Sequence, residues 1–243
     1  MKKVNQESHS PLSFLKHLLI THWRSLLLLS IGVYLPLQVF QILAVKVWHN
    51  AGSFSWDVPI LDLIHSTAQP QLDILAVTLT KFGSVWTVLP IFSAIALILL
   101  WGKQWRSLAY LLTTGLGSVI INRTLKELIH RVRPHLWESK SPEFYYAFPS
   151  GHAMTTMTLV VVMLILTKGH PWRWLFLLLG SLYILVIAWT RLYLGVHFPS
   201  DIIAGWMLAL AWGIGVSLII RPHIKNTIVG KASLLREETD KDI

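Results

Sequence analysis

Three short clusters carry the residue types and spacings that chemistry on an anion requires. In KELIHRVRP, Lys126 stands seven residues before Arg133; PSGH occupies positions 149–152; and TRLYLGVHFPSD sets Arg191, His197 and Asp201 at offsets of six and four. Phosphoryl transfer spreads negative charge over three equatorial oxygens, and its catalysis is mostly positioning and electrostatic stabilisation. Three converging cations meet that demand, and each arginine can grip two oxygens at once. On a helix that runs on to Pro134, Lys126 and Arg133 project from one side, and the proline then ends the helix. In PSGH, Pro149 and Gly151 shape a turn that Ser150 can cap, so that free N–H groups opening the next helix face an anion. His152 sits on that first turn, placed to give up a proton. Pro199 suits the first turn of a following helix. From there Asp201 can reach back to His197, fixing its tautomer and leaving the other ring nitrogen free to attack.

Each cluster also has a plainer reading. Lys126, Arg133 and Arg191 fit as anchors whose aliphatic stems lie along the membrane edge. PSGH fits as an ordinary helix cap, and His197 with Asp201 as a structural pair sealing a helix end. Two histidines and an aspartate also suggest metal ligands, but three fixed cations repel a divalent ion, and no second carboxylate stands at the spaced positions of the clusters. The expectation is therefore no metal and no cofactor.

The elements that hold these clusters are apolar. Of 243 residues, 53% are hydrophobic and 14% charged, with a mean hydropathy of +0.56, against about 25% charged in a soluble domain. Twelve tryptophans suit a chain that crosses the headgroup interface. With no cysteine, disulfides and thiolate chemistry are excluded. The net charge of +9 sits in short segments between apolar runs, which argues for membrane topology and an anionic substrate rather than nucleic acid.

A bilayer core takes about 20 apolar residues as helix. The apolar runs predict an all-α, integral-membrane bundle in one domain, with six transmembrane helices at about 25–45, 83–101, 107–126, 150–167, 174–190 and 200–220. Pro36 is expected to kink the first. Residues 46–82 mix Asp57, Asp62, Asp73 and Lys81 with apolar groups and predict a loop and one interfacial helix. Residues 1–24 lack the small-residue cleavage site of a secretory signal, and with 221–243 they read as cytoplasmic tails. Most lysines and arginines fall in these tails and in the 102–106 and 168–173 turns, which places both termini inside. All three clusters then collect at the external face, and their joint placement outweighs the plainer readings.

K-x6-RP, PSGH and R-x5-H-x3-D, in this order, resemble the three signature motifs of the type-2 phosphatidic acid phosphatase superfamily. That group includes lipid phosphate phosphatases, undecaprenyl-diphosphate phosphatases, glucose-6-phosphatases, soluble acid phosphatases and vanadium haloperoxidases. The resemblance implies that His197 is the nucleophile that forms a phosphohistidine, oriented by Asp201. It implies that His152 protonates the leaving group and then activates water. Lys126, Arg133 and Arg191, with Ser150 and the Gly151 backbone, would hold the phosphate. The family often has serine before the motif arginine; here Thr190 keeps the hydroxyl. His130, Arg131 and His135 lie in or beside the first motif but off its pattern.

The reading is a metal-independent phosphatase of the cell membrane, acting at its external face on a lipid mono- or diphosphate whose tail enters between helices. Undecaprenyl diphosphate, phosphatidylglycerol phosphate and phosphatidate all offer a terminal phosphate on a tail. Discrimination among them falls to residues 46–82 and to the 134–149 loop with Phe144, Tyr145, Tyr146 and Phe148, aromatics that equally suit an interface belt. The competing readings are a vanadate-binding haloperoxidase-like protein and a non-enzymatic anion or lipid-phosphate carrier.

Overall fold

A computed structural model describes residues 11–50 and 52–222, and every regular element among them is helical. The N-terminal helix begins at Pro11. It runs as α1 (Pro11–Leu29), a π-helical turn (Ser30–Tyr34) and α2 (Leu35–Asn50). At Pro36, where a kink is expected, the helix runs on through this wider turn. Proline has no N–H to give to the carbonyl four residues back, at Gly32, and the wider π turn absorbs the mismatch, with the Leu35 N–H reaching Ser30 O. The helix extends beyond both limits expected for the first span, and it takes in the second half of the segment read as a cytoplasmic tail. The rest of that segment, and the C-terminal tail from 223, lie outside the described residues.

Residues 46–82 hold the end of α2 and two further helices, α3 (Asp57–His65) and α4 (Pro70–Thr80), in place of a single interfacial helix. A 3-10 turn at Lys81–Gly83 leads into α5 (Val85–Trp101), whose start is capped by Ser84 accepting from the Thr87 N–H. Then follow α6 (Trp105–Ile129), α7 (Gly151–Leu166), α8 (Arg173–Tyr193) and α9 (Pro199–Ile220).

Among the described residues, three helices are long and apolar enough to cross a membrane: Ile20–His49, Arg173–Tyr193 and Pro199–Ile220. The pair α4–α5, bent by 40°, makes a fourth if counted as one span, and α7 is a shorter apolar helix. Side chains facing outward are large and apolar, among them Trp86, Trp101, Leu178 and Ile219. Such a surface suits hydrocarbon rather than water.

At the centre, α7 lies between α9, α8 and α6. Small residues set the spacing, as in membrane bundles generally. A Cβ on Gly213 would stand 2.7 Å from the Val161 side chain, and one on Gly205 would stand 2.8 Å from the Ser150 carbonyl oxygen. The second contact matters most, because it presses α9 against the turn that opens α7.

One expectation about the first cluster is overturned. The helix carrying Lys126 ends at Ile129, well before Pro134: His130 adopts a left-handed conformation (φ 52°) and returns its N–H to the Lys126 carbonyl. Histidine is one of the few non-glycine residues that visit this region with any frequency. Arg133 therefore comes from an irregular segment and does not share a helical face with Lys126.

Candidate active site

At one end of the bundle, the C-terminus of α6, the 130–149 loop, the start of α7, the end of α8 and the start of α9 converge. Lys126 and Arg133 meet there despite the helix break. The Lys126 ammonium donates to the Tyr146 carbonyl, and Arg133 Nη2 donates to the same oxygen at 3.4 Å. Arg133 is fixed further by Nε donating to the Tyr145 carbonyl at 2.6 Å and Nη1 donating to the Val196 carbonyl at 2.6 Å.

The PSGH turn folds as its sequence dictates. Ser150 caps α7, its hydroxyl accepting from the Ala153 N–H at 3.4 Å, and its own N–H donates to the Asp201 carbonyl at 3.0 Å. This hydrogen bond, with the close approach at Gly205, ties the second cluster to the third. Ser150 is fully buried, and Gly151 and His152, not Ser150, line the cavity beside it.

On α9 the Asp201 carboxylate accepts from the Phe198 N–H at 2.9 Å, capping the helix, and Oδ2 lies 3.4 Å from His197 Nδ1. The other ring nitrogen of His197, Nε2, faces Arg133 Nη1 at 3.1 Å. A guanidinium only donates, so this contact makes Nε2 the acceptor and leaves the proton on Nδ1, toward Asp201. His197 is 1% exposed. Burial, then the positive charge of Arg133 and Arg191, holds the imidazole well below its usual value, so the ring is neutral.

Arg191, at the end of α8, is also buried, with Nη1 donating to the Thr80 hydroxyl at 2.7 Å. Thr190 turns its hydroxyl back to the Ile187 carbonyl at 2.7 Å, one turn earlier in its own helix, rather than toward the cluster.

Two carboxylates absent from the three clusters join them in space. Glu143, in the loop, binds Arg133 Nη2 through Oε2 at 2.7 Å and Arg191 through Oε1, with His152 Nδ1 at 3.8 Å. Burial pushes its carboxyl up, but Arg191 and Arg133 outweigh burial and hold it below the usual value. Glu143 thus stands as a second carboxylate near His152, with both its oxygens taken by the arginines. Asp57, the first residue of α3, is fully buried against Arg131, whose guanidinium also reaches Asp201. His130 stacks edge-on against Tyr146, and neither it nor His135 lines the cavity beside His152.

A cavity of about 200 Å³ opens over this cluster, lined by Arg123, Lys126, Arg133, Glu143, Gly151 and His152. It shares Val85, Ser118, Val119 and Thr155 with an apolar groove of about 170 Å³ that continues between α5, α6 and α7 past Phe92, Leu112 and Leu116. Cations thus stand at one end of a continuous recess and hydrocarbon side chains along the rest.

A family model described as the PAP2 superfamily matches residues 106–225. The chain is 32% identical over 188 residues to phosphatidylglycerophosphatase B of Bacillus subtilis, an alignment covering 73% of this chain and 91% of that protein. It is 27% identical over 184 residues to an undecaprenyl-diphosphatase of Sulfolobus acidocaldarius, covering 72% and 84%. Among solved structures it is similar to the transmembrane PAP2-type phosphatidylglycerolphosphate phosphatase of B. subtilis, with a TM-score of 0.66 and 29% identity, over 76% of this chain and 95% of that one.

Proposed function

As this chain belongs to the PAP2 superfamily and is a phosphatase of its lipid phosphate group, we propose that it removes the terminal phosphate of a membrane lipid mono- or diphosphate through a phosphohistidine on His197. The observation that carries this reading is the His197 ring: Nδ1 faces Asp201 and Nε2 faces the arginine that would hold the phosphate.

In the first step, His197 Nε2 attacks phosphorus, the bond from phosphorus to the leaving oxygen breaks, and protonated His152 gives that oxygen its proton. Asp201 balances the positive charge that develops on the His197 ring. In the second step, neutral His152 takes a proton from water as the water oxygen attacks phosphorus. The N–P bond breaks, and inorganic phosphate leaves. Arg133, Arg191 and Lys126 hold the three equatorial oxygens throughout, with the Gly151 N–H at the start of α7 beside them. Ser150 serves this cradle by capping the helix that presents Gly151 and His152.

The lipid tail lies in the groove between α5, α6 and α7, so its substrate enters sideways from the bilayer and never leaves hydrocarbon. Six crossings, formed by α1–α2, α5, α6, α7, α8 and α9 in one domain, put the site at the external face and both termini in the cytoplasm. The natural absence of cysteine allows a clean topology test. A single Ser139→Cys variant should react with an impermeant maleimide added outside intact cells, and Lys103→Cys should not.

Undecaprenyl diphosphate, phosphatidylglycerol phosphate and phosphatidate are the substrates to compare. Purified protein is assayed for phosphate release on each with EDTA present, and radiolabelled substrate is used to trap an acid-labile phosphoenzyme. Turnover without divalent ions, abolished together with the phosphoenzyme in His197→Ala, is the expected result. A His197→Ala variant with normal turnover would refute the mechanism, and binding without phosphate release would favour a carrier.

A further inference from the structure

Behind the nucleophile lies a buried charge cluster drawn from three separate elements. Asp201 Oδ1 accepts from Arg131 Nη1 at 2.5 Å, while Oδ2 is the oxygen turned to His197. The second arm of Arg131, Nη2, donates to Asp57 Oδ2 at 2.9 Å. Ser200, the residue before Asp201, closes the ring. Its hydroxyl meets Asp57 Oδ2 and Arg131 Nη1, both at 2.7 Å, and its N–H donates to Asp57 Oδ1 at 3.0 Å. Arg131 also lies over the Phe198 ring at 4.4 Å. Arg131, Asp57, Ser200 and Asp201 are all fully buried, and none of them lines the cavity beside Lys126, Arg133 and His152.

We infer that Arg131 and Asp57 are positioning residues for the nucleophile: they fix the Asp201 carboxylate and set the charge behind His197. The geometry separates the two oxygens of Asp201, one for the guanidinium and one for the imidazole, so the carboxylate cannot rotate away from His197. Asp57 is needed as well, to keep the cluster negative. A guanidinium facing Asp201 alone would cancel its charge just when the His197 ring becomes cationic on bonding to phosphorus. Sharing that guanidinium with Asp57 leaves the cluster with one net negative charge, in surroundings of low dielectric where it acts strongly on the ring. The same linkage gives α3 a part in catalysis, although no residue of α3 reaches the cavity.

This inference rests on His197 being the nucleophile, and its effect belongs to the step in which the ring gains charge. Changes here should therefore act on kcat and leave KM nearly alone. The variants are Asp57→Asn, Arg131→Met and the pair combined, each purified as full-length protein, checked for a cooperative thermal transition and assayed on phosphatidate. Asp57→Asn keeps shape and removes one charge, and it should lower kcat about tenfold with KM within about twofold. Arg131→Met should lower kcat about a hundredfold. Arg131→Met leaves Asp57 and Asp201 buried without their shared cation; the double variant removes one of these two charges, so Asp201 stays ionised, and it should recover at least about fivefold in kcat over Arg131→Met, a non-additivity diagnostic of coupling.

A folded Asp57→Asn enzyme with unchanged kcat overturns the inference, whether or not the Arg131 variants fold. So does a loss confined to KM, or a double variant no faster than Arg131→Met. His197→Ala is assayed alongside: if it turns over normally, the mechanism itself has failed. An inactive His197→Ala beside a fully active Asp57→Asn removes only the role given to Arg131 and Asp57.

Discussion

The Glu143 carboxylate rests on the Arg133 guanidinium, Oε2 to Nη2 at 2.7 Å, and turns its other oxygen to Arg191. A carboxylate bridging two arginines makes the same kind of contact as a phosphate held between them. With the loop in this position a substrate must displace Glu143, and the affinity measured is the intrinsic one reduced by the fraction of molecules in which the arginines are free. Glu143→Gln keeps the shape and removes the charge. Its inhibition by vanadate should strengthen about fivefold or more, since the arginines no longer have an internal anion. Equal inhibition constants in variant and parent would show that Glu143 does not compete for the site.

The same residue makes folding stability depend on pH in a direction that can be worked out. The arginines depress the Glu143 carboxyl in the folded state, so its contribution is complete above the unfolded carboxylate range, about 4.3, and is lost as pH falls through the depressed folded value. His197, also held low, acts earlier. Below about pH 6.5 the unfolded chain takes up a proton at this residue that the folded chain refuses, so stability falls by about 1.4 kcal/mol per pH unit from that one group. Thermal unfolding in detergent from pH 8 to 4 should show His197→Asn losing less stability than the parent between about pH 6.5 and 5. Glu143→Gln should be less stable than the parent by a steady margin down to about pH 5, and the gap should close toward the acid end.

The groove gives a third expectation. Leu116 lines it on α6 and is 63% exposed, so a larger side chain there enters open space rather than the core. Leu116→Trp should raise KM for a long-chain lipid phosphate several-fold and leave hydrolysis of a water-soluble, short-chain analogue unchanged. Equal effects on both substrates would mean that the tail lies elsewhere.

How much of this was legible in the sequence follows from where each residue sits. His152, Arg191, His197 and Asp201 lie at or near helix ends, where caps, prolines and the edges of apolar runs fix positions, and the structure brings them together. Pro134 sets only an outer limit to α6, by disfavouring helix at Arg133 and crowding the His130 carbonyl. The real stop, a left-handed His130, carries no glycine to announce it. Glu143, Thr80 and Asp57 had no period or motif to mark them, since each reaches the cluster through the tertiary fold. Arg131 is visible within the first motif, but the hydrogen-bond partners of its side chain lie 69 or more residues away in the chain. The apolar runs predicted an all-helical chain for the membrane. Residues 46–82 were harder, because α3 and α4 are short and pack on α8 rather than declaring a face by periodicity.

The joint between α7 and α9 provides the last prediction. The Ser150 N–H to Asp201 carbonyl bond links the turn that presents His152 to the helix that carries Asp201, and Gly205 lets the two backbones come close enough to make it. A methyl group at Gly205 would stand 2.8 Å from the Ser150 carbonyl oxygen and 3.2 Å from the Met154 nitrogen, both backbone atoms with little room to give. Overpacking of this kind costs about 1–3 kcal/mol, while the better helix propensity of alanine returns only about 1 kcal/mol, so the clash should prevail. Gly205→Ala should thus lower the thermal midpoint. Because the displaced atoms belong to the turn holding His152, it should also lower kcat more than a packing change far from the site does. Gly213→Ala is the comparison, since there the added methyl meets the Val161 side chain at 2.7 Å, well away from the cluster. If both variants lose stability and only Gly205→Ala loses turnover in the protein that remains folded, spacing at the joint sets the geometry of the site. Equal turnover in the two would reduce Gly205 to a packing residue like any other.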